Sequence, residues 1–194
     1  MCETSDGSLW FGTTVGVSRY RNGEHQTYDT RDGLGANIVD CIFEPLPTTS
    51  TSRESKAVWF GTRCNGVSQF DLGSKTWRTF NDTTSPRLSN NNVYSIKEDK
   101  QGRLYFLTNN GVTRFTFLGD GGIRSDIFTT EDGLPNNEGI AGASITDSRD
   151  RIWVGTTEGA AFLDPSKEDV DTLRKPLFIR EVSVEGLLAS SHLQ

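Results

Sequence analysis

Few side chains in this sequence are suited to covalent chemistry. The two histidines are His25, inside "NGEHQ", and His192, in the last residues. A Ser/His/Asp triad needs one of them inside a pocket with a nucleophile and an orienting acid, and the pattern around His25 reads as a turn between strands. Cys2, Cys41 and Cys64 have no C-x-x-C spacing, so they form neither a disulfide framework nor a zinc site. "GTTVGV" (12–17) has the glycines of a phosphate loop but lacks the GK[ST] ending and a following helix. "TTEDG" (129–133) has acidic groups but not the remaining ligands of a calcium loop. The expectation is a non-enzyme with no catalytic residue, no metal and no cofactor.

The polar residues that remain suit binding. One set is Thr13 and Thr14, then Arg63, Cys64 and Asn65, then Asn109 and Asn110, then Thr157 and Glu158. A second set is Asp32, Gly33 and Asn37, then Arg87 and Asn91, then Asp132, Gly133 and Asn137. Hydroxyls, amides and guanidinium groups of this kind fit a neutral or acidic polyhydroxylated ligand such as an oligosaccharide. The candidate ligand-binding residues are Thr13, Thr14, Asp32, Asn37, Arg63, Asn65, Arg87, Asn109, Asn110, Asp132, Asn137 and Glu158. The Asp-Gly pairs are first of all turns, because Gly supplies a positive φ and Asp hydrogen-bonds its own backbone. Arg63, Arg87, Asn109 and Glu158 differ between copies of the repeat described next, which makes them the better ligand candidates.

The elements that position these residues come from an internal repeat, a signal that decides the fold when present. "LWFGTTVGVSRY" (9–20) returns as "VWFGTRCNGVSQF" (58–70), "LYFLTNNGVTRF" (104–115) and "IWVGTTEGAAFL" (152–163). The anchor aromatics are Trp10, Trp59, Tyr105 and Trp153, and a glycine recurs as Gly16, Gly66, Gly111 and Gly159. "YDTRDGLGAN" (28–37) matches "FTTEDGLPNN" (128–137), while "FNDTTSPRLSNN" (80–91) is longer and carries Pro86-Arg87 in place of Asp-Gly. The third unit predicts strands over 93–97, 103–108, 112–117 and 124–129, separated by "EDKQG", "NNG" and "GDGG". Four short antiparallel strands per unit at this period are the pattern of a β-propeller blade. Both alternating faces of "LWFGT" are apolar, as expected of a strand buried between two neighbouring blades. Gly12, Gly61 and Gly155 would allow close backbone approach, with Leu107 in that place in the third unit. The segments 94–106 and 143–154 differ by about one residue in phase, which a β-bulge could absorb. In a propeller, the loops from strand four to the next strand one share a rim with the loops between strands two and three, which puts both polar sets on one rim.

The chain has 194 residues, of which 34% are hydrophobic, enough for an ordinary core. Twenty glycines agree with a turn-rich all-β fold. The net charge of -6 with scattered basic residues argues against nucleic acid. No apolar run approaches the length of a membrane helix, and "MCETSDGSLW" does not read as a signal peptide.

"DGSLWFGTTVGVSRY…DGLGANIVDCIFE" resembles the two-component regulator propeller repeat, over roughly residues 6–167. The departures are the insertion "EPLPTTSTSRESK" (44–56), Leu107, and Pro86-Arg87. The resemblance implies the extracytoplasmic, ligand-sensing region of a hybrid two-component histidine kinase, with a periplasmic location. Several such sensors respond to glycan breakdown products. It also implies an immunoglobulin-like domain of the three-tyrosine type after the last blade, whose first strand "KPLFIREVSVEG" (175–186) resembles. The expected division is a partial β-propeller over 1–168 and a linker with that first strand over 169–194. The competing reading is a protein-interaction or structural propeller module. A third, the virginiamycin-type lyase, uses histidine and magnesium at its rim, where this sequence places no histidine.

The sequence predicts three, four, four and three strands, because no first strand is legible before "DGSLW". Fourteen strands make three and a half blades, and two copies would supply seven. The chain is therefore expected either to self-associate as a homodimer through incomplete terminal blades or to be part of a larger sensor. In an alternative reading, 177–184 is the fourth strand of the last blade.

Overall fold

The computed structural model describes residues 1–45, 57–167 and two short strands at 183–184 and 187–188. The first blade is β1 (Cys2–Glu3), β2 (Leu9–Gly12), β3 (Val17–Arg21) and β4 (Glu24–Tyr28). The second is β5 (Val39–Phe43), β6 (Ala57–Thr62), β7 (Val67–Asp71) and β8 (Trp77–Phe80). The third is β9 (Val93–Glu98), β10 (Leu104–Thr108), β11 (Gly111–Phe117) and β12 (Ile123–Phe128). The fourth has three described strands, β13 (Gly139–Thr146), β14 (Ile152–Thr156) and β15 (Gly159–Leu163). Each sheet is an antiparallel meander in chain order. This is the all-β blade architecture that the repeat predicts, with no closed ring among the described residues.

One expectation is corrected. The first blade is not entered one strand late: Cys2 and Glu3 pair with Trp10 and Leu9 and form its first strand. Among the described residues the blades have four, four, four and three strands, so the arithmetic of seven blades from fourteen strands in each of two copies falls away. Two residues are too short a run for periodicity to reveal. The stretch 175–186 lies outside the described residues except for Ser183 and Val184, which pair with Leu187–Leu188 as a separate hairpin, β16 and β17.

Packing between blades follows one rule. The anchor aromatic of each blade points forward, onto the next blade. Trp10 meets Phe60 and Phe70 with centroids 5.3 and 5.7 Å apart. Trp59 meets Phe106 at 5.8 Å, and Tyr105 shares a cluster with Ile152 and Val154. The residues on either side of the anchor point backward, so Val58 with Phe60, and Leu104 with Phe106, are fully buried. Trp10, Trp59 and Phe106 are likewise 0% exposed. The first blade departs from the expectation that both faces are buried: Leu9 and Phe11 are 36% and 38% exposed, and no blade lies against them among the described residues.

The strand glycines fill the expected role. A Cβ on Gly61 would lie 2.3 Å from Cys41 Sγ, and one on Gly12 would lie 2.9 Å from Val39 Cγ1. Where Leu107 replaces this glycine, the space comes from the neighbour, since a Cβ on Gly139 would lie 2.7 Å from Leu107 Cγ. The anchors also hold the turns between first and second strands. Trp10 Nε1 donates to Thr4 Oγ1 (3.3 Å), Tyr105 OH to Asp99 Oδ2 (2.8 Å) and Trp153 Nε1 to Asp147 Oδ2 (2.9 Å). Asp147 also accepts from Arg151 Nε, and these hydrogen bonds, Trp153's first, hold its carboxyl well below the usual carboxylate range. In the second blade the corresponding turn falls in 46–56, outside the described residues, and the buried Trp59 Nε1 has no partner among the described residues.

Candidate functional site

The two polar loop sets meet. Val39 N donates to Thr13 O, Arg63 N to Ile38 O, Asn109 N to Asn92 O and Thr157 N to Glu138 O. Gly66 N and Gly111 N donate to Asn91 O and Asn137 O. Each loop from strand four to strand one is thus tied to the neighbouring loop between strands two and three. The result is a continuous rim.

Many of the sequence-predicted rim residues are engaged in building it. Asn37 Oδ1 accepts from Thr30 N, Asn91 Oδ1 from Asp82 N, and Asn137 Oδ1 from Thr130 N, at 3.0, 3.0 and 2.8 Å. Asp32 accepts from Asp29 N and Asp132 from Thr129 N. Gly33 and Gly133, with φ of 114° and 104°, follow these acids. Thr13 Oγ1 donates to Gly16 O, as Thr62, Thr108 and Thr156 do to Gly66, Gly111 and Gly159. Asn65 bridges two loops, donating to Gly35 O and accepting from Asn81 Nδ2. Asn110 uses its backbone N–H on Thr108 Oγ1, and Thr14, Arg87, Asn110 and Glu158 have exposed side chains on the rim. Replacing Asn137 with alanine is expected to cost about 1 kcal/mol in urea unfolding, the worth of one turn hydrogen bond, and Asn137→Asp, which keeps the acceptor, should cost less.

Arg63 and Asn109 lead inward, to a feature the loop argument missed. The first strands β5, β9 and β13 lie side by side, each at one edge of its sheet, so they are the inner strands. All three are irregular at the rim end. Asp40 is an extra residue between Val39, opposite Thr62, and Cys41, opposite Gly61. Tyr94 is extra in the same way between Val93 and Ser95. In β13, the four residues Ile140 to Ala143 face Gly155 alone. Bulges of this kind re-aim side chains next to functional sites. Asp40 takes Arg63 in a two-point ion pair, Nη2 to Oδ1 at 2.9 Å and Nε to Oδ2 at 3.2 Å. Tyr94 OH donates to Asn109 Oδ1 at 3.0 Å.

Between these strands lies an open cleft of about 250 Å³, lined by Asp40, Ile42, Tyr94, Lys97, Gly142 and Ser144 among others. Ser95 and Ser144 join hydroxyls across its wall. Cys41 also borders it, but burial pushes its thiol up to about 12, which keeps it protonated. The cleft is thus lined by a carboxylate, an ammonium and a phenol, with the Arg63 guanidinium and the Asn109 amide paired to Asp40 and Tyr94. That set can bind a polar ligand from several sides. No group of His, Cys, Asp and Glu that could hold a metal ion occurs among the described residues. His25 lies on β4, exposed and tilted against Tyr20 with ring centroids 4.7 Å apart. His192 lies outside the described residues. The only foretaste of the bulges in the sequence is the one-residue phase difference between units.

Residues 87–110 match the two component regulator propeller family, and no curated protein matches the chain. The fold is similar to the extracellular domain of BT3049 from B. thetaiotaomicron, described as a hybrid two component system, with a TM-score of 0.66 and 20% identity. That likeness covers 86% of this chain but 22% of the other, so the chain spans about a fifth of its length. It is similar as well to the WD40 β-propeller domain of Doa1, with a TM-score of 0.56 and 14% identity over 80% of this chain and 46% of that one. A virginiamycin B lyase from Staphylococcus aureus matches with a TM-score of 0.50 and 18% identity, over 84% of this chain and 54% of that one. The chain is a run of β-propeller blades, and one stretch of it, from the loop before β9 to the turn after β10, matches the two component regulator propeller family.

Proposed function

We propose that this chain is the ligand-sensing propeller segment of an extracytoplasmic two-component sensor, with no chemistry of its own. Its ligand is a small polyhydroxylated molecule, an oligosaccharide in the first instance. The observation that carries this reading is the pair of bulges that turn Asp40 and Tyr94 out of the inner strands toward Arg63, Asn109 and the cleft. A cleft lined by an aromatic ring and by hydrogen-bonding groups of both signs suits a sugar, whose hydroxyls need partners and whose C–H face packs on a ring. The family match at 87–110 and the extracellular two component domain of similar fold support the sensor context. Thermal-shift titration with neutral and acidic oligosaccharides tests it. A bound saccharide at a hundred times its Kd stabilises by about 2.7 kcal/mol. Tyr94→Ala is expected to weaken that binding roughly tenfold or more, the worth of one lost hydrogen bond and its ring contact, with little change in the ligand-free melting temperature. Saturable binding that Tyr94→Ala and Arg63→Ala leave unchanged would sink the site. The second reading is a protein-interaction module. It draws on the exposed apolar faces of the first and fourth blades, and a stable hetero-complex with no saccharide response would favour it.

A further inference from the structure

The cleft between β5, β9 and β13 holds one charge with no counter-charge among the described residues. Its charged side chains are Asp40, Lys97 and, through its ion pair with Asp40, Arg63. Asp40 and Arg63 cancel each other. Lys97 is half-buried and has neither a hydrogen bond nor an ion pair among the described residues, so the cleft is left with a balance of one positive charge. The chain as a whole carries a net charge of -6, which makes this balance local. The fold also fixes where Lys97 stands. It follows Ser95 by two residues on β9, so the two side chains leave the same face. Ser95 Oγ meets Ser144 Oγ of β13. On the other side of Lys97, Thr146 Oγ1 of β13 donates to Glu98 O at 3.1 Å. These two ties bracket Lys97 and hold β9 against β13. Tyr105 stands opposite Lys97 in the register but gives its phenol to Asp99. Burial dominates the state of the Cys41 thiol, and Asp40 and Lys97 act on it with opposite signs. Both charges therefore reach the wall that Cys41 forms. On β13 that wall continues as Ala141 and Gly142, and a Cβ on Gly142 would meet nothing within 4 Å. There is room beside the ammonium, and an incoming anion would supply the partner it lacks.

We propose that the ligand of this cleft is an anionic saccharide, one carrying a carboxylate or a sulfate, and that Lys97 Nζ pairs with that group. The inference rests on the reading of the cleft as a saccharide site and narrows it to one chemical class. Tyr94 and Asp40 meet the sugar, and Lys97 selects its charge. An ammonium is a compact point charge with three rotatable donors, so it takes a carboxylate or a sulfate alike. A neutral saccharide in the same place would shut Lys97 away from water without a partner, and that penalty sets the discrimination.

Isothermal titration calorimetry of the whole chain with matched pairs tests this. The pairs are uronic-acid oligosaccharides beside their methyl esters, and sulfated oligosaccharides beside the same chains desulfated. Each pair keeps the sugar and removes the charge, and the two kinds of pair separate carboxylate from sulfate. The charged member is expected to bind about tenfold more tightly, the worth of one charge-assisted hydrogen bond. Added salt should weaken the charged member and leave the neutral one unchanged. Lys97→Gln should bring the two members level, and Lys97→Arg, which keeps the charge, should hold most of the difference. Lys97→Gln should melt where the wild type does, since the side chain gives up no partner within the described residues. Asp40→Asn releases the Arg63 guanidinium and should widen the charged-over-neutral ratio. Charged and neutral members that bind equally well overturn the inference. So does a charge preference that survives Lys97→Gln, or an Asp40→Asn ratio below that of the wild type. In each of these cases saccharide binding itself stands. No binding by any member of any pair removes the saccharide reading, and this inference with it.

Discussion

Trp59→Ala is expected to lower the stability of the chain by about 3–5 kcal/mol, the range for deleting a fully buried large aromatic. Trp59 is 0% exposed and central to the core of the second and third blades. Its ring stacks on Phe80 at 5.6 Å and touches Phe106 at 5.8 Å and Phe117 at 6.3 Å. The first contact lies within its own blade and the others reach the next, so truncation opens a cavity where two sheets must stay together. The same substitution at Trp153 provides the control. That ring is half-buried, meets Phe162 of its own blade at 4.7 Å, and has no blade in front of it among the described residues. Its loss removes one hydrogen bond to Asp147 and partial burial, about 1–2 kcal/mol in the monomer. Urea unfolding monitored by far-ultraviolet circular dichroism separates the two. Equal losses at both positions would contradict the forward-packing rule.

Much of this fold is legible in the sequence because the repeat supplies its own internal alignment. Four anchors, four turn glycines and the Asp-Gly loops fix the strand order without reference to any other protein. The features that escape are those which depend on a neighbour or on a single residue. Leu9 and Phe11 are of the same types as Val58 and Phe60, and they differ in exposure because no blade lies against them among the described residues. Cys2 and Glu3 form a strand by pairing with β2, with no periodicity of their own. Asp40 and Tyr94 escaped because they share one place in successive units but differ in type, and a one-residue bulge shows only in the strand register. Of the loop candidates preferred because they differ between units, Arg63 and Asn109 do pair with these bulge residues. Many of the loop positions that recur proved to hold the loops in shape. The recurring Asn37, Asn91 and Asn137 are constant because each accepts the same backbone hydrogen bond. Asp40 and Tyr94 sit one layer inward, on the strands themselves.

Gly66→Ala is expected to be about as damaging as truncating Trp59, although it adds only one carbon. Gly66 has a φ of 75°, where an L-residue pays roughly 1–2 kcal/mol for its Cβ. A Cβ there would also lie 2.0 Å from the backbone oxygen of Phe80 and 2.9 Å from Asn81 Cα. Those are backbone atoms of the end of β8 and the loop beyond it, and they cannot turn aside as a side chain would. Relief requires β7 and β8 to separate at the rim, where Gly66 N donates to Asn91 O and Gly66 O accepts from Thr62 N and Oγ1. Strain and broken hydrogen bonds together place the loss at about 3 kcal/mol or more. Gly111 repeats the geometry, with a Cβ position 2.3 Å from Phe128 O, and should rank beside it. Gly133→Ala tests whether the conformation alone is responsible. It has a φ of 104° and nothing within 4 Å of its Cβ position, so it should lose only the left-handed penalty, about 1 kcal/mol. Chemical denaturation of the three variants gives the order directly. A Gly66→Ala chain no less stable than Gly133→Ala would mean that the rim ends of β7 and β8 do not approach as closely as described. Because the same loop carries Arg63 to Asp40, Gly66→Ala should also loosen that ion pair and weaken ligand binding at the cleft, whereas Gly133→Ala, in the loop after β12, should leave it unchanged.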